Sequence, residues 1–247
     1  MTGSAIEPTK KFYKAATVAP AANGPGYAVL LDGRSLRTPA KAVFNVPTQA
    51  LARLVAEEWN AQGEHILPAS MPATRMANVA IDRMSQTREG TIAEIVKYAN
   101  SDLLLVRAEE PEELAAAERH AWDPILHWAE EALGAVFIPT AGIMIGGQDH
   151  KALDIIAAEA DAFDNFKLTA LAHLGALYGS SLLALAVLKG RISAEEGFEA
   201  SRADEAWQEA KWGVDYEAAD RTARLKGEVH AVARFLSALD TVDTPSG

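Results

Sequence analysis

At 247 residues, 49% hydrophobic and 23% charged, the chain has ordinary globular composition and is long enough for one large domain or two small ones. It contains no cysteine, which excludes disulfides, thiolate nucleophiles and cysteine-based metal sites. The net charge of −11 is uneven, with 11 Lys/Arg against 8 Asp/Glu in residues 1–100 and 12 against 26 in residues 101–247. The acidic second part repels phosphate backbones, so a basic or neutral protein surface is a better partner than nucleic acid.

Met1 to Lys14 has neither the apolar core of a signal peptide nor the Arg/Ser-rich amphipathic character of a transit peptide, which leads us to expect a bacterial-type cytosolic protein. From Phe12 to Val46 the pattern is strand-like, with segments Tyr13–Val18, Tyr27–Leu31, Ser35–Arg37 and Val43–Val46. Asp32-Gly33 after an apolar run predicts a hairpin turn. The period then changes. Leu51, Leu54, Val55, Glu58 and Trp59 recur at helical spacing behind Thr48 as N-cap, with Gly63 placed to end that helix. A linker-like stretch, Ile66 to Pro72, precedes a second helix with Met76, Val79, Ala80 and Met84 on one side.

Beyond about residue 86 the pattern is helical. Asp123-Pro124 predicts a helix start and Gly134 its end. Val136–Ile145 reads as extended or irregular. Helices follow at Asp149–Ala162, Phe166–Leu188, Ser193–Trp212 and Asp215–Leu239, with Ser193 and Glu196 forming a capping box. Thr169 to Leu188 carries no formal charge and contains Gly175-x-x-x-Gly179, a spacing found in packed transmembrane helices. With His173, Tyr178, Ser180 and Ser181 inside it and no flanking aromatic belt or basic cluster, it reads as one buried central helix rather than a span. The expected class is α+β: a small mixed N-terminal domain with antiparallel strands, residues 1–86, and a larger all-helical C-terminal domain, residues 87–247.

Motifs for common nucleotide, serine-hydrolase or zinc-protease chemistry are missing: there is no Gly-x-Gly-x-x-Gly, Walker loop, Gly-x-Ser-x-Gly or His-Glu-x-x-His. Asp123, His127 and Glu131, with His120 one turn back, have a spacing that could gather a metal. A capping role for Asp123 and a solvated face for the others is the simpler reading, so no metal and no cofactor are expected. His173 reads as a satisfied core histidine. Arg37, Arg75 and Asp102 could line an anion cleft between the two domains, which would make the chain a small-molecule-binding protein or enzyme.

The segment Ser201 to Gly213 stands apart, because its helix carries two tryptophans among acids. At about 100° per residue Glu205, Gln208, Glu209 and Trp212 share one face, and Ala203, Ala206 and Ala210 form a second, small enough to pack inward. An outward aromatic beside carboxylates suits a protein-recognition surface, the ring supplying area and the charge register. A ring covering a neighbouring helix among solvated glutamates would produce the same pattern.

Taken in order, Phe12-Tyr13, Leu31-Asp32-Gly33-Arg34-Ser35-Leu36-Arg37-Thr38-Pro39, Ala56-Glu57-Glu58-Trp59 with Gln62, and Met71-Pro72-Ala73-Thr74 form a distinctive series. It continues through Ala77-Asn78, Ile81-Asp82-Arg83, Tyr98, Ser101-Asp102-Leu103-Leu104, Arg107 and Trp122-Asp123-Pro124. It closes with Ser180, Leu182 to Ala186, and Asp204-Glu205, Trp207-Gln208, Lys211-Trp212-Gly213 and Asp215. Over nearly its whole length the sequence resembles the ATP-twelve family, assembly chaperones for the catalytic head of F-type ATP synthase that act on its α subunit. The resemblance implies a chaperone without enzymatic activity that keeps free α subunit soluble and releases it when the β subunit arrives. It also implies a functional acid in the last helical motif. Glu205 is the position matched, with Asp204 as its alternative because Ala206 stands where relatives can carry a further acid; Gln208 and Trp212 complete the expected client-binding face. A bacterial member would be cytoplasmic, and eukaryotic relatives would lie in the mitochondrial matrix.

Overall fold

The computed structural model describes residues 9–142, 146–213 and 216–241. The class is α+β. By their contacts the residues separate into two compact units, one made of residues 1–85 with 234–247, the other of residues 86–233.

In the first unit β1 (Ala16–Pro20), β2 (Tyr27–Leu31), β3 (Arg34–Ser35) and β4 (Asn45–Val46) form an antiparallel sheet with β2 at its centre. The predicted hairpin is present. Asp32 and Gly33 both take positive φ, 47° and 80°, as a tight turn between right-twisted strands requires. The Asp32 carboxylate accepts from the Ala15 and Lys14 amides, and these bonds hold it below the usual carboxylate range. Gly26 is needed for space, because a Cβ there would stand 2.5 Å from the Val46 carbonyl oxygen.

Across the sheet lies α1 (Gln49–Asn60), capped as expected by Thr48 and burying Leu51, Leu54 and Val55. It ends before Gly63, at Ala61 in right-handed conformation. Several of the sequence motifs prove to be joints of this unit. Glu58 accepts from the Ala73 and Thr74 amides at 2.8 Å and from the Thr74 hydroxyl at 2.7 Å, capping α2 (Pro72–Asp82) from a neighbouring helix. Tyr13 packs edge-on against Trp59 and donates its hydroxyl to the Trp59 carbonyl, while Gln62 ties the 66–72 stretch through the Leu67 amide and the Ser70 hydroxyl.

The second unit holds α3 (Met84–Asn100) from residue 86, α4 (Glu112–Trp128), α5 (His150–Asp161), α6 (Asn165–Tyr178), α7 (Ser181–Leu188), α8 (Ala194–Ser201) and α9 (Ala203–Trp212). It also holds α10 (Tyr216–Asp240) up to Ala233. Short strands β5 (Val106–Arg107) and β6 (Thr140–Ala141) pair in parallel; β6 falls inside the region read as extended, whereas β5 interrupts a stretch read as helical. Residues 143–145, the end of that region, and Asp215, the predicted start of the last helix, lie outside the described residues.

Three helix boundaries differ from expectation. Pro124 lies inside α4 rather than at a start: the carbonyl it leaves unbonded belongs to exposed His120, where water can satisfy it. The segment read as one helix over 166–188 is two. Gly179 ends α6 in left-handed conformation at φ 66°, and the Ser180 hydroxyl caps α7. Ser193–Trp212 likewise breaks at Arg202 into α8 and α9, although its capping box forms as predicted.

Burial is nearly complete in α7, where Leu182 to Ala186 are all inaccessible, but not in α6, where His173 is part-exposed and faces Glu228 at 3.6 Å rather than sitting in the core. Among the described residues no helix is long and apolar enough to cross a membrane. Where α6 and α8 meet, Gly197 admits Tyr178, whose ring would lie 3.1 Å from a Cβ at that position and whose hydroxyl donates to the Ala194 carbonyl.

Candidate functional site

Asp102, placed by sequence reasoning on an open cleft, is fully buried. Its carboxylate accepts from the Leu104 amide at 3.2 Å and the Leu182 amide at 3.1 Å, and the Ser180 hydroxyl also bonds to it. It therefore joins a turn at 103–105 to the first turn of α7, where the exposed amides of a helix N-terminus stabilise negative charge. Burial raises its pKa to about 6, and the hydrogen bonds oppose that rise. An internal strut of this kind cannot line an anion site.

Arg107 meets Trp122 and Asp123, 15 and 16 positions further on. The guanidinium lies 5.0 Å from the Trp122 ring centre and donates to Asp123 at 2.7 Å, while Trp122 Nε1 donates to the Ala200 carbonyl at 2.7 Å, tying α4 to α8. Asp123 is thus an ion-pair partner rather than a cap. Among the described residues no three His, Asp or Glu side chains are grouped so as to hold a metal.

Good helix formers and the order of charge, Asp204 and Glu205 in the first turn and Lys211 in the last, favour α9, which stops at Gly213 with φ 91°. None of its ten residues, all described, is buried. The orientation differs from the one predicted. Ala206 and Ala210 are exposed instead of packed inward, and the edge turned toward the protein carries Ala203, Asp204 and Trp207. A polar contact explains the reversal: Asp204 is hydrogen bonded to Glu118 of α4, which is 2% exposed and accepts from the Ala108 amide at 2.8 Å. Desolvation, then the hydrogen bond and the charge of Glu118, raise the Asp204 pKa to about 6.

The remaining polar groups of α9 form a surface. Arg202 lies 3.6 Å from Glu205 and 3.3 Å from Glu209. Trp212 is 71% exposed, yet it is positioned edge-on against Trp207, and Lys211 lies 5.3 Å from the centre of the Trp207 ring. Asp204, Glu205 and Gln208 border one cleft of about 420 Å³, with Leu103, Leu177, Phe198 and Leu225 among the apolar residues lining it and Arg221 also at its edge. The structure therefore brings three of the four predicted site residues to one cavity. Trp212 stands outside it, on the exposed face of the same helix. Glu118 was missed, although it has a signal: with Ala115, Trp122 and Ile125 it falls on the inward stripe of α4, an acid where the pattern calls for an apolar residue.

A cleft bordered by acids and an exposed, braced tryptophan is suited to holding another protein's side chains rather than to transforming a small molecule. Comparison with known proteins gives this class its family. The chain resembles the solved structure of Atp12 from Paracoccus denitrificans with 39% identity and a TM-score of 0.87, over 94% of this chain and 98% of that one. It resembles the Atu1473 protein of Agrobacterium tumefaciens with 38% identity and a TM-score of 0.88, over 94% and 86% of the two chains. Mitochondrial atp12 of Schizosaccharomyces pombe is 23% identical over 197 residues, 75% of this chain and 68% of that protein. A sequence profile described as ATP12 chaperone protein matches residues 10–130. The chain belongs to the ATP12 chaperone family, whose members are ATP synthase assembly chaperones and not enzymes.

Proposed function

We propose that this protein binds the free α subunit of the F-type ATP synthase catalytic head, keeps it from aggregating, and yields it to the β subunit, acting in the bacterial cytoplasm. The single observation that carries the reading is the α9 surface, where Glu205, Gln208 and Trp212 are all exposed on one helix. A subunit made before its partner exposes an apolar interface that aggregates unless covered. A helix offering a braced aromatic beside carboxylates supplies an anchor and a register for such a surface. Holding of this kind needs neither nucleotide nor metal.

The test is co-expression with α or β subunit alone, followed by size-exclusion chromatography. The expected result is a complex with α and none with β, formed equally with and without ATP or chelator. Co-elution with β alone, or α protection at sub-stoichiometric amounts driven by ATP hydrolysis, would overturn the reading.

A further inference from the structure

We propose that α9 is a hinged lid over the cleft, latched to α4 by one proton shared between Asp204 and Glu118, and that loss of this proton lets the helix lift and bare the apolar floor beneath. Four observations converge on it. First, α9 has no buried residue and lies between two backbone breaks, Arg202 at φ −118°, ψ 23° and Gly213 at φ 91°. It is a short rigid body with little apolar anchorage. Second, its inward edge carries a carboxyl hydrogen bonded to another carboxyl, an arrangement that exists only while a proton lies between them. Third, Asp204 Oδ1 is buried without a hydrogen-bond partner among the described residues, so an ionised Asp204 would carry uncompensated charge there. Fourth, Glu118 is 98% withdrawn from solvent and its carboxylate accepts from the Ala108 amide, which fixes the α4 side of the contact in place.

The direction follows from these contacts. Asp204 holds its proton in the folded chain at pH values where the unfolded chain has lost it. The latch is therefore complete at acid pH and is lost as pH rises through about 6. The other charged or titratable groups around the cleft are Arg202 at the α8–α9 junction, Glu205 on α9, Tyr178 on α6 and Arg221 on α10, and none of the lining residues is a histidine. Arg202 is already engaged with Glu205 and Glu209, so it does not neutralise an ionised Asp204. An opened α9 would offer Leu103, Leu177, Phe198 and Leu225 to an apolar segment of a client; this use, but not the motion, rests on the function proposed above.

Hydrogen exchange of the whole chain without client, at pH 5 and pH 7.5 and corrected for the chemical rate, tests the latch. Amides of 203–212 are expected to lose protection roughly tenfold at the higher pH relative to those of 182–186. Glu118→Gln and Asp204→Asn each supply a permanent N–H across the contact, so either variant should hold equal protection of 203–212 at both pH values. Unchanged wild-type protection, an equal loss across 182–186, or variants that keep the wild-type pH dependence would each overturn the proposal. Because no client is present, a failed latch and a failed client assignment give separate results.

Discussion

The helices α7 and α9 make an instructive pair. They have 8 and 10 residues, and each meets an acid whose pKa burial raises to about 6. In α7 nearly every side chain is inaccessible, and the acid, Asp102, is matched by donors from Leu104, Leu182 and Ser180. In α9 none is buried, and the acid, Asp204, meets another carboxyl. Similar displacement of a titration therefore arises from opposite local designs. A buried carboxyl surrounded by donors cements structure, whereas a carboxyl facing a carboxyl makes docking conditional. Proteins draw their binding elements from the weakly held end of this range.

The strongest way to break the comparison is Asp102→Ala, which leaves the buried Leu104 and Leu182 amides without acceptors. We expect a loss of about 3 kcal/mol or more, read as the urea midpoint of the whole chain. A loss below about 1 kcal/mol would remove the strut assignment. The same residue fixes a pH trend. Its folded pKa lies above its ordinary value, so the contribution is full below about pH 4 and is lost as pH rises through about 6. Asp102→Asn should flatten that part of the stability profile.

Two glycines sharpen the picture of how the core around α7 is packed. A Cβ at Gly175 would meet Ser181 Oγ at an ordinary 3.8 Å, so Gly175→Ala should be neutral or stabilising by up to about 1 kcal/mol, while Gly175→Leu overpacks by about 1–3 kcal/mol. At Gly197 the same Cβ would press on a Tyr178 ring pinned through its hydroxyl, so Gly197→Ala should lower stability by about 1 kcal/mol. Thermal melts of the three variants give the order directly.

Much of the local structure was legible because it depends on near neighbours. The Asp32-Gly33 turn, the Thr48 cap and the Ser193–Glu196 box all form within a few residues of chain. The break at Gly179-Ser180 was not, because an uncharged, alanine-rich stretch gives one continuous helical signal on both sides of it. Pro124 misled for a different reason: its cost depends on whether the freed carbonyl reaches water, which is a tertiary property. In α9 the outward placement of Glu205, Gln208 and Trp212 followed from periodicity. The inward placement of Ala206 and Ala210 did not, since Glu118, 86 positions before Asp204, supplies the contact that turns the helix. Asp102 similarly acquires its role from Leu182, 80 positions later.

The smallest expected effect on stability belongs to the most consequential substitution. Glu205 is exposed, with one 3.6 Å ion pair to Arg202, so Glu205→Lys should change stability by less than about 0.5 kcal/mol. At the centre of a client interface the reversed charge would cost several kcal/mol of affinity. Trp212→Ala removes an exposed ring and its edge contact with Trp207, and should weaken client binding with little change in melting.

The measurement that bears most directly on the account is therefore paired: the melting temperature of Glu205→Lys and its ability to keep purified α subunit soluble at equimolar ratio. The account predicts melting like the wild type together with loss of protection. Wild-type melting with full protection would contradict the assignment of the α9 face to the client, and a much lower melting temperature would show Glu205 to be a structural residue.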